Sequence, residues 1–227
     1  MLFLNEWKWV EAEREFNQAL QTDPNCRMAL TYYGYLLTRL GRADEARVVL
    51  KLAQTLDATS PLITKFLGHC EFADRNYAQA LIYYNRASQL ETNYPSGHYW
   101  AGRAYLAMTN YSKALDEFVI YARCQGPVPD RAAALREALD KEGWTNYLEI
   151  AKADTSTTPY TYAEIYARLG DREALSWLEK AIGQHNSAEY LLFDEFWDDF
   201  RTDPRFKALL DSTGLSKALA EHPSSSK

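Results

Sequence analysis

Three glycines stand 34 residues apart, at Gly34, Gly68 and Gly102. The same interval separates Ala12, Ala46, Ala80 and Ala114, then Trp9, Ala43, Tyr77 and Tyr111, then Phe16, Leu50, Tyr84 and Phe118. Ala19, Ala53 and Ala87 form a further column, which Tyr121 breaks. A fixed period of this length constrains the fold more than any other feature of the chain. Each period is one supersecondary unit that cannot bury its apolar face alone, so neighbours must stack into a solenoid. The unit reads as two antiparallel helices, over residues 27–40 and 44–56 in the second period. Gly34 and its equivalents sit where the two helices cross, and Gly41 suits the left-handed residue that ends a helix. Ala46 and Ala53, seven apart, share one helix face, and Leu50 between them fills the space that small neighbours leave. Pro24, Pro61 and Pro95 mark the entry to successive units, since proline is tolerated in a first helical turn. Asp23 or Ser60 is the candidate cap.

Composition sets the outer bounds. A formal charge of −6 over 227 residues argues against a nucleic-acid surface, which needs a basic patch. No apolar stretch is long enough to span a bilayer, and residues 1–13 lack the basic start and cleavage site of a signal peptide. Cys26, Cys70 and Cys124 are too few and too scattered for a disulfide framework or a zinc site. A reducing, cytoplasmic compartment is expected, conditional on whatever precedes this segment.

The columns resemble the tetratricopeptide repeat, a helix-turn-helix unit of this length. The resemblance is carried by Gly34, Gly41, Ala46, Leu50 and Ala53 in one unit. Leu67, Gly68, Tyr77, Ala80, Tyr84 and Ala87 carry it in the next, and Gly102, Tyr105, Tyr111, Ala114 and Phe118 in the third. It implies an all-α superhelix of helical hairpins. The first unit is incomplete: Trp9, Ala12, Phe16, Ala19 and Pro24 match a second helix and its exit, but only six residues stand where a first helix belongs. Either a short cap replaces that helix or the chain is cut from a longer protein, and the second reading is preferred. Residues 142–154, 162–181 and 203–215 are similar to the end of repeat regions in bacterial multidomain regulators. In such proteins a winged-helix, cyclase-like or kinase domain precedes the repeats, and the repeats serve as a sensory or docking part.

The chain divides into residues 1–122, with three full repeats and one partial repeat, a degenerate helical part over 123–220, and a disordered tail over 221–227. Residues 123–130 read as a loop, 131–141 and 144–152 as helices, and 161–169 as a further helix. Ala174, Leu178 and Ala181 restore the repeat's small–large–small face. Residues 185–202 alternate acids with rings at Phe193, Phe196, Trp197 and Phe200. They read as a helical cap over the last exposed face of the stack, with Asp194, Glu195, Asp198 and Asp199 on its solvated side. A peptide-binding patch is the alternative.

No motif supports catalysis. His69, His98, His185 and His222 form no metal-ligand spacing, and there is no phosphate-binding glycine loop and no nucleophile elbow. Cys70, in an apolar run, reads as a small buried hydrophobe. No cofactor, metal or catalytic residue is expected. The resemblance instead implies a concave face lined by the first helix of each unit. Its candidate peptide-binding residues are Tyr35, Arg39, Lys65, His69, Phe72, Tyr99 and Arg103: rings for contact area, cations for carbonyls or acidic side chains. The pattern of a chaperone-tail receptor is absent, because Thr31, Tyr35, Phe66, Ser96 and Trp100 occupy its clamp positions. The expected function is a non-catalytic protein- or peptide-binding module. The alternative is self-association through the apolar side of Trp9, Ala12 and Phe16, left bare by the missing first helix.

Overall fold

The computed structural model describes residues 8–91, 94–125, 158–185 and 190–221, with scattered positions between 137 and 152. The described residues form an all-α solenoid of helical hairpins. A lone helix α1 (Trp9–Thr22) is followed by three hairpins: α2 (Arg27–Arg39) with α3 (Ala43–Leu56), α4 (Pro61–Ala73) with α5 (Tyr77–Leu90), and α6 (Pro95–Ala107) with α7 (Tyr111–Gln125). A fourth hairpin joins α8 (Pro159–Arg168) to α9 (Ala174–Gly183). The chain then passes through a turn and a 3-10 helix (Glu195–Phe200) into α10 (Pro204–Ser212) and α11 (Leu215–Glu221). The helices expected over 131–141 and 144–152 fall mostly outside the described residues, and so does the tail beyond Glu221.

The two columns of the sequence meet in space. A Cβ on Gly34 would overlap Leu50 Cγ, one on Gly68 would lie 2.5 Å from the Tyr84 ring, and one on Gly102 would lie 2.7 Å from the Phe118 ring. The large residue of each second helix therefore seats on bare backbone of the first. Ala46, Ala53, Ala80 and Ala87 are fully buried beside it. Within each hairpin the turn repeats even where its sequence does not. Gly41, Arg75 and Thr109, again 34 apart, all take the left-handed conformation, with φ of 73°, 62° and 56°. The next N–H then reaches back to close the helix end, as from Arg42 to the Leu37 carbonyl and from Asn76 to the Glu71 carbonyl. Ser60 caps α4 through Ile63 N–H, with Pro61 in the first turn. Asp23 instead braces the preceding loop through Asn25 N–H.

After α9 the chain folds back on the repeats rather than extending them. Residues 190–200 lie across the inner side of the stack, and α11 reaches the first helix of the chain. Trp9 Nε1 donates to the Thr213 carbonyl at 2.7 Å, and Leu215 and Ala218 pack with Trp9, Ala12, Leu36 and Leu40. This corrects the premise for self-association. Trp9 and Ala12 are buried under Leu215 and Ala218 of α11, and Phe16 is half-buried against Tyr33 of α2. The expected helical cap over 185–202 is corrected as well. Leu191–Phe193 form a turn and Glu195–Phe200 a 3-10 helix, so the rings point to two cores at once: Phe193 to the repeats, Trp197 and Phe200 to the α8–α10 cluster.

The Gly34 crossing gives a sign-reversal test. An alanine in a helix gains up to about 1 kcal/mol over glycine, but overpacking a filled crossing costs roughly 1–3 kcal/mol. Gly34→Ala should therefore destabilise the wild type in urea unfolding. In a Leu50→Ala background the crossing is hollow, and the same substitution should stabilise.

Candidate functional site

The inner side is lined by α2, α4 and α6, whose exposed turns would otherwise present their side chains to water. Five of the seven sequence-predicted residues gather around the Tyr190–Asp194 stretch of the same chain. The Tyr35 and Tyr190 hydroxyls share a hydrogen bond of 2.9 Å. His69 lies 6.4 Å, centroid to centroid, from the Tyr190 ring, and Phe72 lies 6.1 Å from Phe193 in an edge-on contact. Arg103 Nη2 donates to Asp194 Oδ1 at 2.9 Å, while Nη1 donates to the Tyr99 hydroxyl at 3.3 Å. Lys65 and Arg39 stand apart. The Lys65 ammonium lies over the rings of Phe66 and Tyr94, with no carboxylate beside it among the described residues, and burial lowers its pKa to about 8. Arg39 is buried over the rings of Trp9 and Tyr35.

Four of the residues that the resemblance places on the concave face, Arg39, His69, Phe72 and Arg103, are buried in this structure, with exposures of 2%, 1%, 0% and 2%. The cover, residues 190–200, is tied down at several points. Arg75 of the repeats donates to the Phe193 carbonyl at 3.0 Å and to Asp198 at 2.7 Å, while Arg201 braces the cover from within through the Leu191 and Asp194 carbonyls, each at 3.2 Å. Trp100, at the clamp position discounted from sequence, is the floor. Its ring lies 4.1 Å from His69, 5.0 Å from Tyr190 and 6.4 Å from Phe193. Sequence reasoning also missed Asp194, assigned to a solvated face and here fully buried. Asp198 and Asp199 do face solvent.

Asp194 sits at a junction of charges. Its second oxygen accepts from the Tyr160 hydroxyl at 2.7 Å, and that hydroxyl accepts from Trp197 Nε1 at 3.4 Å. Glu164 approaches Arg103 at 3.9 Å and pairs with Arg168, which also binds Glu195 at 2.6 Å. Burial pushes Asp194 up to about 7, and the Arg103 guanidinium pulls against that rise. Burial also opposes the Glu164 charge, but Arg103 and Arg168 outweigh it and hold this carboxyl below its usual range. Burial, with Lys65 and Arg103 nearby, keeps the His69 imidazole neutral well below its ordinary pKa. His69 Nδ1 shares a 3.0 Å hydrogen bond with Tyr84, and Nε2 has no hydrogen-bond partner among the described residues. Burial pushes the Cys70 thiol up to about 11, as expected of an inert core thiol. Among the described residues no group of three or more His, Cys, Asp or Glu is placed to hold a metal, and no helix is long and apolar enough to cross a membrane. The arrangement binds rings, a carboxylate and main-chain carbonyls.

No protein-family model matches the chain, and no curated protein matches it. Among solved structures, a tetratricopeptide repeat protein from Parabacteroides merdae ATCC 43184 is similar to it with a TM-score of 0.53 at 17% identity, over 96% of this chain and 92% of that one. Two structures of MamA align at TM-scores of 0.46 and 0.44, with 22% and 21% identity, each over 78% of this chain and over 88% and 82% of their own. The likeness to the Parabacteroides protein is one of fold: the chain has the helical-repeat architecture of the tetratricopeptide kind.

Two measurements probe the covered face. Asp194→Ala should cost roughly 3–5 kcal/mol, because it strands the buried Arg103 charge, whereas Asp194→Leu combined with Arg103→Met should recover most of that loss in urea unfolding. His69 gives a pH signature. Its folded pKa is depressed, so the unfolded chain takes up the extra proton below its own pKa near 6.5, and the stability that neutral His69 contributes is lost as pH falls. Asp194 acts oppositely. Its folded pKa is raised from 3.8 to about 7, so its contribution is present at low pH and lost as pH rises through that window. The wild-type curve sums the two, and the comparison with His69→Gln isolates the histidine. The variant should gain on the wild type by about 1.4 kcal/mol per pH unit below pH 6.5.

Proposed function

We propose that this protein is a protein-interaction module that takes a short, non-helical peptide on its inner face. Tyr35, Lys65, His69, Phe72, Tyr99 and Arg103 supply the contacts, and Arg39 sets the position of Tyr35 from behind. One observation carries the reading: this face already holds a short turn, Tyr190–Asp194, by ring contacts, a hydroxyl pair and a buried carboxylate. Rings in a desolvated pocket with a paired arginine are the usual composition of a binding hot spot. The likeness of residues 142–154, 162–181 and 203–215 to bacterial regulators supports placing the module as the docking part of a larger regulatory protein.

Selection of random displayed peptides on the full chain, with hydrogen exchange to map where the winners bind, tests this function. Winners should protect α2, α4 and α6, and those bearing an acid should lose about tenfold in affinity with Lys65→Glu, the loss of one charge-assisted contact. Winners that protect only the outer helices α3 and α5, where Val48 and Ile82 are exposed, would refute the inner-face reading.

A further inference from the structure

The inner face and its cover are complementary in kind at every described contact. From Tyr190 to Asp194 the cover is a turn, runs ring–x–x–ring–acid, and presents the Phe193 main-chain carbonyl to Arg75 of the repeats. Each of those features meets a side chain suited to it. Tyr190 fits between Tyr35, His69 and Trp100, Phe193 between Phe72 and Trp100, and Asp194 between Arg103 and Tyr160. The fit is also incomplete in one place. Among the described residues, the Lys65 ammonium, one turn before His69 on α4, meets rings only, and His69 Nε2 has no hydrogen-bond partner. A carboxylate there would gain a charge-assisted contact that the described part of the cover does not make.

From this we infer that Tyr190–Asp194 is an intramolecular ligand that holds the groove closed, and that the partner is a peptide of the same ring–x–x–ring–Asp pattern with an additional acid on its N-terminal side to reach Lys65. The inference rests on the peptide-groove reading above and adds both the partner's chemistry and its regulation. A tethered ligand competes at an effective concentration on the order of millimolar. A partner that repeats only the cover's own contacts therefore fails to displace it at micromolar concentration, and a carboxylate held against Lys65 is the contact that no described residue of the cover makes. Opening also has a defined weak point. Arg75 ties the cover at the Phe193 carbonyl and at Asp198, from a left-handed turn position outside the ring-lined floor. Asparagine accepts that backbone conformation, so Arg75→Asn cuts both ties without straining the turn.

The test uses the full chain and a fluorescein-labelled synthetic peptide with the sequence of residues 190–200 behind two added aspartates. Arg75→Asn should bind this probe about tenfold more tightly than the wild type, with unchanged helix content by circular dichroism. Lys65→Glu in the same background should cancel the gain. A probe carrying Asn in place of Asp194 should bind neither chain. In the wild type, saturating probe should speed amide exchange across residues 190–200. Equal probe binding by wild type and Arg75→Asn, or unchanged exchange at the cover when the probe is bound, would overturn self-occupancy. Selected peptides that still protect α2, α4 and α6 would in that event leave the peptide-groove reading standing, so the two failures are told apart. Should Arg75→Asn lose helix content, the exchange measurement on the wild type decides alone.

Discussion

The close contact between bare backbone at Gly34, Gly68 and Gly102 and the side chains of Leu50, Tyr84 and Phe118 sets the spacing of everything else. It fixes how near the second helix of each hairpin comes to the first. The buried alanines on either side then fix how near the next hairpin comes. Because that geometry repeats, equivalent residues of α2, α4 and α6 line up along one side at regular spacing, and Tyr35, His69 and Arg103 fall into a row. A side chain at any of the three glycines would open a hairpin and break the row. The chemistry of the inner face is thus a consequence of packing on the other side of the same helices.

How that row is satisfied is a question of desolvation. An arginine and a carboxylate removed from water together gain little net stability over an apolar pair, yet either one alone is costly. Arg103 and Asp194, at 2 and 0% exposure, are therefore better understood as a selector than as glue. On the proposed reading, a peptide without an acid at that place leaves the buried guanidinium with only the more distant Glu164, 3.9 Å away, as a counter-charge. Trp100 and Phe196 flank the guanidinium at 5.3 and 5.4 Å and reduce the cost of its burial without supplying a counter-charge. Ring contacts with Tyr190 and Phe193 supply the area, and the ion pair supplies the register.

The repeats were legible because their determinants are local and periodic. Gly34 and Leu50 are sixteen residues apart, and the same spacing recurs twice more. The left-handed turn was legible at Gly41 alone, since Arg75 and Thr109 adopt it under the pull of the hairpin geometry rather than by their own preference. The inner-face positions of Tyr35, His69 and Arg103 followed from the resemblance, but their burial did not. The partners that bury them, Tyr190 and Asp194, lie 155 and 91 residues away from Tyr35 and Arg103 and obey no period. Residues 185–202 carried a signal in their rings at Phe193, Phe196, Trp197 and Phe200. That spacing was assigned to an α-helical cap, and a turn followed by a 3-10 helix instead sends Phe193 into the core of the repeats and Phe196, Trp197 and Phe200 into a separate one. The covering of Trp9 and Ala12 was beyond reach for the same reason, because its source is some two hundred residues further along.

Folding back changes the physics of the stack. A linear solenoid is coupled only between nearest neighbours, so its ends fray independently of its middle. Here the cover touches α2, α4, α6 and α8 at once, and α11 packs against α1, the first described helix. These contacts span the array and close it on itself. Releasing residues 190–200 then costs stability in every repeat they touch, and a ligand that takes their place restores it. The inner face is consequently where binding energy and fold stability are most directly exchanged: a peptide seated between Tyr35 and Arg103 would hold the repeats together in place of the chain's own segment. Occupants of the outer surface, on α3 and α5, have no comparable lever, because nothing there links one end of the array to the other.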